Sequence, residues 1–214
     1  MDILFISDIH RNYDAIDKLP QADALIVGGD FVTLDGEDAL RRAIALIEKR
    51  FPTFVAVSGN MDPIATDSIL AETGHALSPD TPTSICGKNV FGLGGANRSP
   101  FNTPNEWDEN DAESRLAKIP TDAADILVTH APPFESGADR ISNGAFVGSK
   151  AIAACVSRVH PTLLLCGHIH EAAGIYKFCT SILINPGQFG DRGAFATIRF
   201  ADGEAPFAWI SHCN

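Results

Sequence analysis

Two histidines separated by one residue, His168 and His170, follow a short apolar run at residues 163–166. The run predicts a buried strand, and two imidazoles just past its end can face different atoms of one pocket. Imidazole is a common metal ligand, but a His-x-His pair is equally typical of a polar turn. A metal site therefore requires carboxylates and further histidines from elsewhere in the chain.

The chain supplies such residues, each directly after another predicted strand. The candidate metal ligands are Asp8, His10, Asp30, Asn60, His130, His168 and His170. The carboxyl ends of parallel strands converge on one crevice of an open α/β sheet, so these distant residues have a physical reason to meet. Each short motif alone is typical of a turn. Their joint occurrence at successive strand ends predicts one common site.

The donor types indicate which ions this site would hold. Imidazole combined with carboxylate and amide oxygen suits Mn²⁺, Fe or Zn²⁺ better than Ca²⁺, which prefers all-oxygen cages. The ligands are too many for one tetrahedral ion, whereas two ions that share a carboxylate use them all. Such a pair, roughly 3.5–4 Å apart, can hold the attacking and leaving oxygens of a displacement at phosphorus. We therefore predict two divalent transition-metal ions, with Mn²⁺ favoured.

Apolar periodicity indicates the elements that must position these ligands. The first 60 residues alternate apolar strands with helices, which predicts a largely parallel sheet covered on both faces. Helices are predicted at about 12–19, 38–50, from 62 onward, 111–118 and 149–158, with Asp38, Asp62 and Ser149 at helix starts. Residues 94–110 and 132–148 are predicted loops, and the segments 174–178, 181–184, 194–200 and 207–210 are predicted to form an antiparallel, strand-rich C-terminal part.

Composition narrows the class of protein. A chain of 214 residues with 45% hydrophobic and 20% charged residues fits a single domain over residues 1–214. The net charge of −11 argues against nucleic acid and anionic membranes as partners. The five cysteines form no C-x-x-C pair, and no apolar run is long enough to cross a bilayer. We therefore expect a cytoplasmic protein with reduced thiols and a small substrate; its oligomeric state stays open.

The ordered motifs resemble those of the calcineurin-like metallophosphoesterases, in particular a small prokaryotic phosphodiesterase-like subgroup. The matching segments are Asp8-Ile9-His10, Gly29-Asp30, Gly59-Asn60-Met61-Asp62, His130 and Gly167-His168-Ile169-His170. The resemblance implies an α/β fold, a four-layer α/β/β/α sandwich of two mixed sheets flanked by helices. It also implies that a metal-activated water attacks phosphorus, with Asn60 among the catalytic residues. In the implied ligand sets, Asp8, His10, Asp30 and His170 hold the first ion, and Asp30 bridges to a second ion held by Asn60, His130 and His168.

One departure from the family pattern bears on the substrate. Family members commonly carry a histidine, assigned to protonation of the leaving group, at the position of Met61, and methionine cannot donate a proton. We therefore predict hydrolysis of phosphodiesters with good leaving groups; a phosphomonoesterase or a nuclease of the same fold are alternatives. A non-catalytic scaffold is a further alternative, although every predicted ligand is intact. Arg98 is the candidate substrate contact, or else a solvated loop residue, and His75, His160 and His212 are expected at the surface.

Overall fold

The computed structural model describes residues 1–201 and 203–213. The strands are β1 (Asp2–Ile6), β2 (Ala24–Val27), β3 (Phe54–Ala56), β4 (Thr83–Ile85), β5 (Lys88–Leu93), β6 (Ala96–Asn97), β7 (Glu106–Trp107), β8 (Ile126–Thr129), β9 (Leu163–Leu165), β10 (Gly174–Phe178), β11 (Ser181–Asn185), β12 (Ala194–Arg199) and β13 (Phe207–His212). The α-helices are α1 (Glu37–Arg50), α2 (Thr66–Glu72), α3 (Glu109–Leu116), α4 (Lys150–Val159) and α5 (Phe189–Arg192), and 3₁₀ helices span Tyr13–Lys18 and His170–Ala172. Within the described ranges, no helix combines the length and apolarity needed to span a bilayer.

Two mixed sheets form the centre of the structure. The five-stranded sheet has the order β13-β12-β1-β2-β3, in which β1, β2 and β3 are parallel. The six-stranded sheet has the order β10-β11-β9-β8-β5-β4, in which the four central strands are parallel. Strands β12 and β13 in the first sheet, and β4 and β10 in the second, run antiparallel to their neighbours.

Three apolar layers hold these elements together. The layer between the two sheets includes the fully buried side chains of Phe5, Ile26, Val128 and Leu165. A second cluster packs α1 and α2 on the outer face of the five-stranded sheet, and a third packs α3 and α4 on the outer face of the other sheet. Both faces of each sheet are therefore covered, which explains why the central strands are continuous apolar runs. The predicted four-layer α/β/β/α sandwich of two mixed sheets is confirmed.

The strand pairing in the C-terminal part was predicted only in part. The hairpins β10–β11 and β12–β13 are antiparallel, as expected. However, β11 pairs in parallel with β9, and β12 crosses to the other sheet, where it pairs with β1. The predicted loop at 94–110 also contains the short parallel pair β6–β7 and the start of α3. An apolar pattern identifies a strand, but it carries no information about which strand will be its partner.

Two of the three predicted helix caps are wrong. Asp38 lies within the first turn of α1, whose N-cap is Gly36, and α2 begins at Thr66 rather than beside Asp62. The predicted helix at 12–19 is a 3₁₀ helix over Tyr13–Lys18. Ser149 is confirmed as the N-cap of α4, because its hydroxyl accepts the backbone N–H of Ile152 at 3.2 Å.

His75 is not at the surface, which corrects the prediction for that residue. Its side chain stacks on Phe54 with ring centroids 3.7 Å apart, and the residue is only 7% exposed. The backbone of His75 covers the edge of β3, where its carbonyl accepts the N–H of Ala56 at 2.8 Å. This edge pairing draws the imidazole inward. His160 and His212 are exposed, as predicted.

Candidate metal centre

The predicted ligands lie at the C-terminal ends of parallel strands from both sheets. Strands β1, β2 and β3 lead into the loops that carry Asp8 with His10, Asp30 and Asn60. Strands β8 and β9 lead into His130 and the His168–His170 segment. The two groups of loops are joined directly, because His130 Nδ1 lies 2.7 Å from the carbonyl oxygen of Gly28. The structure thus brings all seven predicted ligands into one cluster.

One part of the cluster contains Asp8, His10 and His170. His170 Nε2 lies 3.1 Å from Asp8 Oδ1, and His10 Nε2 lies 4.0 Å from the same oxygen. The two imidazoles meet edge to face, with ring centroids 5.4 Å apart. One donor atom from each of the three residues lies within 4.8 Å of the others, a spacing that can hold one metal ion.

The other part contains Asn60, His130 and His168. Asn60 Oδ1 lies 2.9 Å from His130 Nε2, and the His130 and His168 ring centroids are 5.1 Å apart. Since a carbonyl can only accept, Nδ1 of His130 donates to Gly28, and in the neutral tautomer Nε2 presents its lone pair to the cluster. This tautomer is the one that a metal ligand requires.

Two buried carboxylates lie between the imidazole pairs. Asp30 Oδ2 is 3.8 Å from His10 Nε2 and 3.5 Å from His130 Nε2, so a single oxygen faces one imidazole of each pair. Asp8 also forms a group with Asp30 and His130 whose donor atoms lie within 4.8 Å of one another. Asp30 Oδ1 accepts the backbone N–H of Met61 at 2.8 Å, which fixes the carboxylate plane. The geometry is compatible with Asp30 as the bridging ligand, which stays a prediction.

The electrostatics of the cluster favour a bound cation. Burial, together with the negative charge of Asp8, holds the pKa of Asp30 well above its usual range. Burial lowers the pKa of His168 to about 3, and it also lowers the pKa of His10. Burial would raise the pKa of Asp8, but the hydrogen bond from His170 and the charges of nearby imidazoles outweigh it, so that pKa lies below its usual range. Two close buried acids face two imidazoles that burial makes less basic, His10 and His168, whereas the contact with Asp8 raises the pKa of His170. Divalent ions fit this donor set.

The backbone of the cluster is strained at its ligands. Asp8, His10, Asp30 and His168 have positive φ angles of 60°, 45°, 54° and 67°. This left-handed conformation costs on the order of 1 kcal/mol for a residue with a side chain. Hydrogen bonds from the N–H of Asp8 to the Gly29 carbonyl and from the N–H of His10 to the Asp30 carbonyl, both 3.0 Å, maintain it. These four are among twelve non-glycine residues with positive φ in the described part of the chain, and strain at adjoining side chains of one cluster is typical of a functional site.

Two glycines leave room for the carboxylates. A Cβ atom on Gly59 would lie 2.0 Å from Asp30 Oδ1, and one on Gly167 would lie 2.4 Å from Asp8 Oδ2. Neither position tolerates a side chain without displacing a carboxylate. The motif glycines beside Asn60 and His168 are therefore explained by close approach.

Asp62 supports the cluster from behind and does not cap a helix. The side chain is fully buried, and its carboxylate accepts the N–H of Gly59 at 2.8 Å and that of Val32 at 3.1 Å. It thereby ties the loop after β3 to the loop after β2. Burial and the charge of Asp30 raise the pKa of Asp62 to about 7.

Arg98 is engaged in a surface ion pair. Its Nε lies 2.5 Å from Asp108 Oδ1 and its Nη2 lies 3.1 Å from Asp108 Oδ2, and the Arg98 side chain is 68% exposed. The hydrogen bond to Asp108 raises the pKa of the guanidinium. The proposed substrate contact stays a prediction.

Comparison with known proteins places these features in a family. The sequence model of the calcineurin-like phosphoesterase superfamily domain matches residues 1–203. The protein named "Uncharacterized protein MJ1162" from Methanocaldococcus jannaschii is 32% identical over 202 residues, which cover 87% of this chain and 88% of that protein.

Two solved structures show the same fold at low sequence identity. The protein TT1561 of Thermus thermophilus matches with a TM-score of 0.72 at 17% identity, covering 100% of this chain and 99% of that one. A dimetal phosphatase from Danio rerio matches with a TM-score of 0.54 at 10% identity, covering 94% and 93% of the two chains. The family match over residues 1–203 and the clustered donors agree. The chain belongs to the calcineurin-like phosphoesterase superfamily, which implies a divalent metal pair and metal-dependent hydrolysis of phosphate esters.

Proposed function

We propose that this protein hydrolyses small phosphodiesters with two divalent transition-metal ions, of which Mn²⁺ is favoured. The observation that carries the proposal is the pair of buried carboxylates, Asp8 and Asp30, placed between two pairs of imidazoles. The first ion would be held by Asp8, His10, Asp30 and His170, and the second by Asp30, Asn60, His130 and His168. The motif order supports membership of the phosphodiesterase-like subgroup.

The ions, when bound, supply Lewis-acid activation of water and neutralise charge on the phosphoryl oxygens. The residues of the chain hold this chemistry in place. The backbone N–H of His168 donates to both oxygens of Asp8, at 3.3 and 3.1 Å, which fixes that carboxylate toward the cluster. Two divalent ions against Asp8 and Asp30 leave a local excess of positive charge, so an acidic protein can still attract a phosphate ester.

Met61 is the reason for favouring diesters. It lies between the proposed ligand Asn60 and the buried Asp62, and its backbone N–H is engaged by Asp30. Its side chain has no proton to give to a leaving group. We therefore expect substrates whose leaving group departs without protonation to be preferred.

A rate comparison tests this preference. With Mn²⁺, kcat/KM for bis-p-nitrophenyl phosphate should exceed that for p-nitrophenyl phosphate by about tenfold or more. Phenyl phosphate releases phenolate, a poorer leaving group than p-nitrophenolate. Met61→His should raise the rate of its hydrolysis, because positioned general acids contribute about 10²-fold or more. Met61→Leu, which removes no proton donor, is the matched control. A clear monoester preference of the wild-type protein would refute the diester assignment.

The same purified protein can be used to test the alternative functions, a nuclease and a non-catalytic scaffold. Cleavage of oligonucleotides would favour a nuclease, which the net charge of −11 argues against. A protein that takes up no transition metal would be a scaffold. We also propose a cytoplasmic location, since Cys155 and Cys166 are buried free thiols.

Arg98→Ala tests the proposed substrate contact. Exposed ion pairs contribute little to stability, so Arg98 can leave Asp108 for a phosphate at little cost. We expect Arg98→Ala to raise KM for the diester by about three- to tenfold with little change in kcat, as for a group that binds ground state and transition state equally. Asp108→Ala, which frees the guanidinium, should lower KM. Unchanged KM in both variants would remove Arg98 from the substrate site.

A further inference from the structure

A chain of three hydrogen-bonded side chains leads out of the metal cluster from Asn60. Asn60 Nδ2 lies 2.9 Å from Thr103 Oγ1, and Thr103 Oγ1 lies 2.7 Å from Glu106 Oε1. At the other end of the amide, Asn60 Oδ1 lies 2.9 Å from His130 Nε2. Thr103 and Glu106 match no motif of the family pattern.

The chemistry of this chain determines which way the Asn60 amide points. An ionised carboxylate only accepts, so the single hydroxyl proton of Thr103 is donated to Glu106. The oxygen of Thr103 can then only accept from Asn60, and it therefore requires the NH₂ group. The amide oxygen is left facing the cluster. Thr103 can satisfy both neighbours in only this orientation.

In this orientation the Asn60 amide oxygen faces the imidazole of His130. Nδ1 of His130 donates to the Gly28 carbonyl, so in the neutral tautomer its Nε2 carries a lone pair. Asn60 Oδ1 lies 2.9 Å from that Nε2. In this tautomer both atoms offer lone pairs, and two converging lone pairs suit a cation.

Glu106 is itself held firmly in place. Its Oε1 also accepts the Ser99 hydroxyl at 2.6 Å and the Thr103 N–H at 3.1 Å, and its Oε2 accepts the Ser99 N–H at 3.1 Å. The loop that carries it is joined to the same strand end by Asn105, whose N–H donates to the Asn60 carbonyl at 3.0 Å. The hydroxyl of Thr103 is therefore presented to Asn60 from a fixed position.

We propose that Thr103 and Glu106 are positioning residues that lock the Asn60 amide with its oxygen toward the second metal ion. The inference rests on the proposed function, since it concerns the ligand set assigned there. Without the Thr103 hydroxyl, the amide can turn its NH₂ group toward the ion. Loss of a group that orients a metal ligand typically weakens metal binding about 10- to 100-fold. The first ion, held by Asp8, His10 and His170, does not depend on this orientation.

Calorimetric titration of the metal-free protein with Mn²⁺ tests the inference. In Thr103→Val, which keeps the shape but removes the hydroxyl, the Kd of one of the two binding steps should rise about 10- to 100-fold. The Kd of the other step should stay within about twofold of wild type. Thr103→Ser should restore wild-type binding of both ions. Glu106→Gln should give a smaller loss than Thr103→Val, because its amide oxygen can still accept from Thr103.

A matched control is Thr73→Val, which removes an exposed hydroxyl that donates to the Ile69 carbonyl at the end of α2. Its metal binding should be unchanged. Wild-type binding of both ions by Thr103→Val would overturn the proposal, and so would an equal loss at both steps with reduced stability of the metal-free variant. Wild-type protein that binds two ions but hydrolyses no phosphate ester would refute the proposed function and leave the positioning role measurable. Binding of a single ion by wild type would overturn both.

Discussion

Asp30→Asn is expected to lower metal-dependent kcat/KM by at least about 1,000-fold, a loss of about 4 kcal/mol in transition-state stabilisation. Asp30 Oδ2 faces an imidazole from each half of the donor set, at 3.8 and 3.5 Å. An amide carries no negative charge and offers only one lone-pair-bearing oxygen, which the Met61 N–H already engages. Steady-state hydrolysis of a diester with Mn²⁺, together with metal analysis of the purified variant, measures the effect.

The same substitution should leave the metal-free protein at least as stable as wild type. The folded-state pKa of Asp30 is raised, so its contribution to stability is fully present below the unfolded value of 3.8 and is lost as pH rises above it. As pH rises above that value, the buried carboxyl therefore destabilises the metal-free wild type, whereas asparagine has no group that titrates. Thermal unfolding in chelator at pH 7 compares the two proteins. Asp122→Asn, at an exposed position, is the control, and activity of Asp30→Asn within tenfold of wild type would exclude the bridging role.

Mn²⁺ is expected to raise the melting temperature of the wild-type protein by about 10–20 °C at an ion concentration 100-fold above Kd. Each ion bound only by the native state contributes about 2.7 kcal/mol at that ratio, and 1 kcal/mol corresponds to about 2–4 °C for a chain of this size. The donors are assembled only in the folded state, because they come from five different strand ends in two sheets. Thermal scans with chelator and with increasing Mn²⁺ give the shift.

Two variants make this measurement specific to the cluster. His168→Ala should retain about half of the shift, because it removes a proposed ligand of one ion only. Asp30→Asn should lose most of it, because it affects both. An equal shift in all three proteins would place Mn²⁺ elsewhere on the acidic surface, and no shift in wild type would favour a scaffold.

The sequence predicted that the proposed ligands would lie together, because each of them follows a strand closely. The carboxyl ends of neighbouring parallel strands must meet, so local patterns were enough to bring Asp8, Asp30 and His130 together. The ligand assignment to individual ions came only from the family resemblance. The donor distances are compatible with it, and the metal titrations above test it.

The features that the sequence did not predict depend on contacts between distant residues. Asp62 precedes a proline and is locally suited to cap a helix, yet its carboxylate accepts the N–H of Val32 from another strand end. Thr103 reaches Asn60 across 43 positions of the chain from a loop without a motif. Similarly, nothing within β11 itself specifies that it pairs with β9 rather than with β12. The local sequence pattern does not predict such contacts between distant residues.

The division of the donors between two sheets gives the apolar layer an additional role as a spacer. Asp8, Asp30 and Asn60 follow strands of one sheet, whereas His130 and His168 follow strands of the other. The apolar side chains of the layer between the sheets fill the space that separates the two sheets. Interiors are packed closely enough for one methylene to be felt, and a misplacement of about 1 Å can cost a reaction about 100-fold. The thickness of this layer therefore sets the distance between the donors that follow one sheet and the donors that follow the other. Substitutions in this layer are therefore limited by the geometry that the metal centre requires as well as by the stability of the fold.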